Sequence, residues 1–252
     1  MKDSYKVEVY FKDVFRSIQK IMTNKNDYAL SGSCAVCAMI VDNKLFCINV
    51  GDSRCVLGQR KTGDGKKDPE KIAIEMSIDH KPTRDDEQRR IIQKGGEVSE
   101  KIMGVPRVFR KNDDEPGLAV ARSIGDVVAH EVGVSCDPEV FVKELDSDDS
   151  FVVIGSDGIW DVFSSCEVVG FVFNLLDQNR LELKNDNPAE HLVVECRNRW
   201  EILNLFKTRY ASEVINKNQE GEGGKDRNSN QNIGDIDDIT ACVFVINQDR
   251  ED

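Results

Sequence analysis

The feature that most constrains the fold is a pair of short apolar runs that follow each other closely. Cys34–Val41 and Leu45–Val50 are both rich in apolar residues, and only Asp42-Asn43-Lys44 separates them. Two such runs with a short polar gap predict a tight antiparallel hairpin. Adjacent antiparallel strands argue against a doubly wound parallel sheet, so we expect an antiparallel β structure here.

Four segments carry helix signals. Residues 7–22 have apolar side chains at the 3,4,3,4 spacing of an amphipathic helix. Thr83 is placed to cap a second helix, which Gly95 ends. Ser164 fits the first position of a capping box, and Asn187 precedes a proline at the first position of another helix. Helices combined with antiparallel strands predict the α+β class.

Two stretches lack the periodicity of helix or strand. Residues 103–116 contain alternating charges and prolines, so we expect a surface loop or flap. Residues 217–234 are mostly Gly, Asn, Glu and Lys, which predicts a long or disordered loop. We find no internal repeat and no convincing linker, so we expect residues 1–252 to form a single domain.

The charge balance of the chain is acidic. There are 46 Asp and Glu residues against 34 Lys and Arg, for a net charge of −12. An acidic surface argues against nucleic acid and anionic membranes as main partners. We also expect the protein to be a monomer. No run of about 18 apolar residues is present, so we expect no membrane span. The charged first residues predict no signal peptide.

The cysteines have two interpretations. Cys34 and Cys37 form a C-x-x-C pair, a spacing found in zinc sites and redox sites as well as in buried core positions. No second pair follows at zinc-site spacing, and most of the eight cysteines sit inside apolar strand-like runs, which favours core packing. Buried, unpaired thiols indicate a reducing compartment, so we expect a cytoplasmic or nuclear protein.

Carboxylates recur where the apolar runs begin or end. Asp52 and Asp157 follow such runs, and Asp237 with Asp238 precedes the run 239–246. Each of them alone fits an ordinary Asp turn. Together they predict an oxygen-ligand site for Mg²⁺ or Mn²⁺ whose ligands are far apart in sequence. The three histidines are scattered, which argues against zinc, and no glycine-rich phosphate loop or Gly-x-Ser-x-Gly motif is present.

Eight short motifs, in order along residues 31–246, carry a resemblance to a known family. The chain resembles the PPM-type (type 2C) metal-dependent serine/threonine protein phosphatases. The motifs are Ser31–Ala35, Val50–Arg54, Asp79–Pro82, Gly95–Gly96, Gly117–Asp126, Pro138–Val140, Ser156–Asp161 and Asp237–Thr240.

The resemblance implies an antiparallel β-sandwich flanked by helices, in which two Mg²⁺ or Mn²⁺ ions share a water that attacks phosphoserine or phosphothreonine in phosphoprotein substrates. Matched motif by motif, Asp157 and Asp237 correspond to metal ligands. Asp52, with Asp157 and Asp161, corresponds to a third, weaker metal site. Residues 103–116 fall where the family carries a flap that influences substrate choice.

The chain departs from the family pattern in two places. Asp238 stands where Asn is usual, and residues 1–30 contain no Asp-Gly-His-Gly-Gly motif, no matching phosphate-binding Arg and no counterpart of the first strands of the sandwich. Three interpretations stay open. The chain is part of a longer phosphatase, a catalytically impaired pseudophosphatase that acts as a binding or regulatory module, or a plain Mg²⁺-binding regulatory domain.

Overall fold

The structure is a computed structural model that describes residues 2–24, 29–61, 69–102, 104–178, 187–219 and 237–246, with the side chains of 2–4, 178 and 208–219 left aside. The chain groups into two compact units, residues 1–154 with 243–252 and residues 155–242. The expectation of a single domain stays a prediction.

The first unit contains most of the strands. In chain order its elements are α1 (Lys2–Thr23), β1 (Gly32–Ser33), β2 (Ala35–Val41), β3 (Lys44–Val50), β4 (Arg54–Lys61), β5 (Glu70–Glu75), α2 (Asp85–Gln93), β6 (Gly96–Ser99), β7 (Arg107–Arg110), β8 (Pro116–Leu118), β9 (Ile124–Gly125), α3 (Val127–Glu131) and β10 (Glu139–Glu144). Two further strands, β11 (Asp149–Gly155) and β12 (Ala241–Val245), cross the boundary between the units.

The predicted hairpin is confirmed. Strands β2 and β3 pair antiparallel, and β10 pairs antiparallel on the other side of β3, in the order β10-β3-β2. Asp42 and Asn43 both have positive φ, 47° and 62°. Positive φ at both central residues belongs to the tight turn whose twist matches a hairpin, and Asn and Asp tolerate it better than most residues.

A second sheet has the strand order β12-β11-β4-β5, and apolar side chains fill the space between it and the first sheet. Leu45 and Cys47 of β3 form one cluster with Cys55 and Leu57 of β4 and with Val152 of β11. Packing of inner faces in this way defines a β-sandwich, which confirms the predicted fold class.

Helix α1 covers the opposite face of the first sheet. Phe15 of the helix packs with Phe46, Ile48 and Val50 of β3. The predicted helix over residues 7–22 is confirmed, with its first turn starting earlier at Lys2. Cys37 packs into the same cluster, as the core interpretation of the C-x-x-C pair predicts, and all eight cysteines are free thiols.

The structure corrects two predictions in the first unit. The segment predicted as a loop over residues 103–116 contains β7 and the start of β8, which form an antiparallel sheet with β6. Val108 and Phe109 of β7 are fully buried, but a four-residue strand is too short to display a period. The residue before α2 is Arg84, without a side-chain capping bond, so Thr83 is not the cap.

The second unit is mainly helical, with α4 (Asp157–Trp160), α5 (Ser165–Gln178) and α6 (Pro188–Gln219). The predicted capping box is confirmed, because Ser164 and Glu167 bond to each other's backbone N–H. Asn187 accepts from the N–H of Ala189 at 3.0 Å and caps α6.

Helix α6 extends further than predicted. Residues 217–219 are helical, which corrects the start of the predicted loop 217–234, and residues 220–234 lie outside the described residues. Among the helices that the structure describes, none combines the length and the apolar character needed to cross a bilayer.

Candidate metal-binding site

Asp157 lies at the exit of a buried strand. Phe151 to Val153 of β11 are buried, and Ser156 follows with extended backbone (φ −74°, ψ 170°) before Asp157 opens the short helix α4. The carboxylate is half-buried, and its Oδ1 accepts from the N–H of Gly158 at 3.0 Å. The strand therefore fixes the backbone of Asp157 while the side chain keeps partial access to solvent.

Asp161 lies one turn further along. Its N–H donates to the carbonyl oxygen of Asp157 at 2.8 Å, so the two residues are related as i and i+4 of a helical turn. Residues at this spacing lie on the same face of a helix. Asp161 is exposed.

Two tryptophans hold this turn. Trp160 donates its indole N–H to the carbonyl of Gly155 at 2.8 Å, and Trp200 of α6 donates to the carbonyl of Gly158 at 2.7 Å. The first bond gives a side-chain donor to the last carbonyl of β11, and the second gives one to a carbonyl within the four-residue α4. The carboxylates of Asp157 and Asp161 thus project from a turn with a fixed backbone.

The segment that carries Asp237 lies against the segment that carries Asp157. Ser156 joins them, because its Oγ donates to the carbonyl of Asp238 at 2.9 Å and accepts from the N–H of Thr240 at 3.1 Å. The backbone N–H of Ser156 also donates to the carbonyl of Thr240 at 3.1 Å. Asp237 is exposed, and its Oδ1 accepts from the N–H of Asp238 at 2.8 Å.

The close approach of these two segments requires a glycine. A Cβ added to Gly158 would lie 2.5 Å from the carbonyl oxygen of Asp238 and 3.2 Å from the Cα of Ile239. The structure therefore brings the predicted ligands Asp157, Asp161 and Asp237 onto neighbouring backbone segments of one unit. Their donor atoms are carboxylate oxygens, the ligands that hard cations such as Mg²⁺ and Mn²⁺ prefer.

Asp52, the fourth predicted ligand, belongs to the first unit. It is only 6% exposed. The ammonium of Lys81 lies 2.6 Å from its Oδ2, and the thiol of Cys34 donates to its Oδ1 at 3.3 Å. Both carboxylate oxygens therefore already have partners, so a cation that binds to Asp52 has to compete with Lys81.

A buried group of charged residues that the sequence analysis did not single out lies elsewhere in the first unit. His80, Glu87 and Glu139 place one ligand atom each within 4.8 Å of one another. His80 and Glu87 are fully buried. A histidine with two carboxylates is a donor set that divalent cations accept.

Arginines already hold these carboxylates. Arg122 donates to Glu87 at 2.6 Å and to Glu139 at 3.0 Å, and Arg84 and Arg90 add further bonds. Two carboxylates thus face three guanidinium groups, so this group has no net negative charge to attract a divalent cation. We therefore assign it a structural role.

The arginines also keep both carboxylates ionised. Burial by itself would raise the pKa of Glu87, but hydrogen bonds from Arg90 and Arg122 outweigh it and the pKa is lowered. Burial would likewise raise the pKa of Glu139, and contacts with His80, Arg84 and Arg122 bring it well below its usual range.

The sequence contained partial signals for the residues that were missed. Cys34, Lys81, Arg122, Glu139 and Ser156 all stand inside the motifs that carried the family resemblance. Glu87, by contrast, stands outside these motifs, in the acidic first turn of α2, and it is fully buried. No sequence pattern distinguishes a buried, paired glutamate from an exposed one.

Comparison with known proteins establishes the family. The sequence matches the family described as "Protein phosphatase 2C" over residues 1–201. This range begins before the first of the quoted motifs, includes Asp52, Asp157 and Asp161, and ends before Asp237. The chain belongs to the protein phosphatase 2C family.

Curated plant relatives agree. The chain is 36% identical over 192 residues to "Probable protein phosphatase 2C 64" of Oryza sativa subsp. japonica, which covers 75% of this chain and 41% of that protein. It is 37% identical over 198 residues to "Probable protein phosphatase 2C 52" of Arabidopsis thaliana, covering 77% and 40%. The chain thus spans about two fifths of the length of these relatives.

The fold has a counterpart among solved structures. The crystal structure of serine-threonine phosphatase 2C from Toxoplasma gondii matches with a TM-score of 0.67 at 23% sequence identity. The match covers 81% of this chain and 65% of that one. At this level of identity the likeness establishes the shared fold.

Proposed function

We propose that this protein is a Mg²⁺- or Mn²⁺-dependent protein serine/threonine phosphatase that acts on phosphoprotein substrates. Asp157 and Asp237 are the proposed ligands of the paired metal ions, and Asp52 and Asp161, with Asp157, those of a third ion. The observation that carries the proposal is the bonding of Ser156 to Asp238 and Thr240, which joins the segments of two proposed ligands. Family membership supports the reaction class.

The chain contributes oriented carboxylates. Divalent ions, when bound, supply Lewis acidity that lowers the pKa of a bound water and neutralises charge on phosphoryl oxygens. The N–H of Gly158 fixes Oδ1 of Asp157, and the N–H of Asp238 fixes Oδ1 of Asp237. Oriented ligands reduce the reorganisation needed when a cation binds.

The proposal extends to the setting of the protein. The net charge of −12 supports phosphoprotein substrates that are not strongly acidic, and it disfavours nucleic acid as a partner. Eight free thiols support a reducing compartment, the cytoplasm or nucleus. A monomer is the proposed state.

A second candidate is a catalytically impaired pseudophosphatase that binds a phosphopeptide or partner without turnover. One observation favours it, namely that no Asp-Gly-His-Gly-Gly motif occurs in the 252 residues. In the family, that motif is the one that brings the bridging metal ligand. The two candidates differ in turnover, and both predict the phosphatase fold.

Mn²⁺-dependent release of phosphate from a phosphothreonine peptide tests the proposal. The 252-residue chain is compared with any longer product of the same reading frame, each alongside Asp157→Asn and Asp237→Asn variants. We expect either substitution to lower Mn²⁺ affinity and kcat/KM by at least about tenfold. Mutation of residues that only support metal ligands already lowers affinity or activity by about 10–100-fold. Asp13→Asn, an exposed position on α1, is the matched control and should leave both unchanged.

The outcomes separate the candidates. Turnover that the two substitutions abolish supports the phosphatase. If both the 252-residue chain and the longer product bind Mn²⁺ or phosphopeptide but neither releases phosphate, the result supports the pseudophosphatase. Mn²⁺ binding that neither substitution changes contradicts the assigned ligands.

A further inference from the structure

Three consecutive residues, 79–81, bond residue by residue to the turn at 51–54, which carries Asp52. We call residues 79–81 the clasp. The pairs are Asp79 with Arg54 at 2.8 and 3.0 Å, His80 with Gly51 at 3.0 Å, and Lys81 with Asp52 at 2.6 Å. Each pair joins side chain to side chain except the central one, in which a side chain bonds to backbone.

The central pair is the buried one. His80 has no exposed surface, and its Nδ1 accepts from the N–H of Gly51. The backbone N–H of His80 donates in return to the carbonyl of Gly51 at 3.0 Å. Gly51 has a φ of +103°, and a Cβ there would lie 2.2 Å from Sγ of Cys34. Position 51 therefore accepts only glycine in this conformation.

The contacts also define the tautomer of His80. Nδ1 lies 3.0 Å from the backbone nitrogen of Gly51 and 3.0 Å from its carbonyl oxygen, so this contact alone fits either tautomer. The ionised carboxylate of Glu139 faces Nε2 and can only accept, so the proton of the neutral ring is on Nε2 and Nδ1 accepts from the N–H of Gly51. Nε2 lies 3.3 Å from Oε2 of Glu139, and among the described residues it makes no hydrogen bond of regular geometry. Glu139 therefore holds the protonated edge of the ring by a charge–dipole contact.

Glu139 is itself immobilised. Arg122 donates to its Oε1 at 3.0 Å, and Arg84 donates to its Oε2 at 3.0 Å. A continuous series of contacts thus runs from two arginines through Glu139 and the imidazole of His80 to the backbone N–H next to Asp52.

We propose that His80 is a positioning residue that holds the Gly51–Asp52 turn so that the Asp52 carboxylate is oriented to ligate a divalent cation. This inference rests on the proposed function through the assignment of Asp52 as a metal ligand. His80 acts through the Gly51 N–H and does not touch the cation.

Two substitutions separate the two edges of the ring. His80→Asn keeps an acceptor at the position of Nδ1 and loses the group that faces Glu139. His80→Gln keeps a donor at the position of Nε2 and loses the acceptor for Gly51. Mn²⁺ binding to the full chain is measured by electron paramagnetic resonance in these variants, in the wild type and in Asp52→Asn, and exchange of the Gly51 amide is followed by NMR.

We expect the wild type to show a component of Mn²⁺ binding that Asp52→Asn removes. His80→Gln should weaken that component at least about tenfold and speed Gly51 exchange, whereas His80→Asn should keep the affinity within about threefold. His191→Asn, an exposed histidine, is the control and should leave both readouts unchanged.

Three results would overturn the inference. The first is a His80→Gln variant whose Asp52-dependent component of Mn²⁺ binding is undiminished. The second is a wild type that shows no such component. In either case the proposed function is still judged separately, by the effects of Asp157→Asn and Asp237→Asn on turnover. The third result comes from the wild-type protein, so it does not depend on whether a variant folds. A ¹⁵N–¹⁵N scalar coupling between Gly51 and Nδ1 of His80 is expected in the wild-type protein, and its absence together with a protonated Nδ1 contradicts the bond.

Discussion

Trp200 donates its indole N–H to the carbonyl oxygen of Gly158 at 2.7 Å, although 42 residues separate the two in sequence. Trp200 is 9% exposed, and Gly158 is buried in the turn that carries Asp157. The bond ties a turn of proposed ligands to the long helix α6. Since α4 has only four residues, its backbone depends on such outside partners.

Trp200→Phe should destabilise the protein. The substitution keeps an aromatic ring but leaves the Gly158 carbonyl without its donor, which costs about 1–3 kcal/mol. Urea denaturation followed by far-UV circular dichroism measures the loss. Ile202→Ala, at a site 53% exposed on the same helix, is the control and should change the free energy of unfolding by less than about 0.5–1 kcal/mol. Equal stability of Trp200→Phe and wild type would contradict the proposed importance of this bond.

Gly158→Ala should separate the segments that carry Asp157 and Asp237. The added Cβ would lie 2.5 Å from the carbonyl oxygen of Asp238, so the backbone has to move. We expect a loss of about 1–3 kcal/mol in the free energy of unfolding and weaker Mn²⁺ binding in calorimetric titration.

Gly170→Ala is the matched control in the same unit. A Cβ at Gly170 has nothing within 4 Å, and the residue lies inside helix α5. Alanine there should stabilise the protein by about 0.5–1 kcal/mol and leave Mn²⁺ binding unchanged. If Gly158→Ala behaved like Gly170→Ala, the close approach would not matter for the site.

Lys81→Met should make the protein more responsive to divalent cations. The substitution leaves the buried Asp52 carboxylate without the ammonium that lies 2.6 Å from it. Stability should fall without metal, and added Mg²⁺ should restore part of it by taking the place of the ammonium. Differential scanning fluorimetry should show a larger rise in Tm with Mg²⁺ than in wild type, about 2–4 °C for each kcal/mol restored. Lys81→Arg keeps the charge and should respond like wild type. An equal Tm response in Lys81→Met would argue against cation binding at Asp52.

Stability should fall in acid because of Glu87 and Glu139. Both have a pKa below the ordinary value of 4.5 in the folded protein, so the unfolded chain binds more protons as the pH drops. Their contribution is complete above pH 4.5 and is lost as the pH falls from there through the folded values. In Glu139→Gln the slope of the free energy of unfolding against pH, between pH 5 and 3, should be smaller than in wild type by up to about 1.4 kcal/mol per pH unit.

Glu144→Gln, at an exposed position of β10, is the control and should keep the wild-type slope. An unchanged slope in Glu139→Gln would contradict the lowered pKa.

Elements with local signals could be predicted from the sequence alone. The hairpin turn at Asp42-Asn43, the capping box of Ser164 and the Asn187 cap were all recognised, because the residues that specify them lie within a few positions of each other. The small sheet of β6, β7 and β8 was missed for the converse reason. Each of its strands has only three or four residues. The sheet is stabilised by pairs of side chains on neighbouring strands, and those pairs are not visible within any one short segment of sequence.

The amino-acid sequence was sufficient to show which carboxylates stand at strand ends and, through its motifs, which family the chain resembles. The partner of each charged group became known only from the folded structure. Lys81 meets Asp52 across 29 positions, Arg122 meets Glu87 across 35, and Ser156 meets Asp238 across 82. Such partners depend on how sheets and helices pack, and a charged residue has the same letter whether it is solvated or buried against a guanidinium group. The physical reason is that burial and ion pairing are properties of the folded neighbourhood, whereas propensity and capping are properties of the chain.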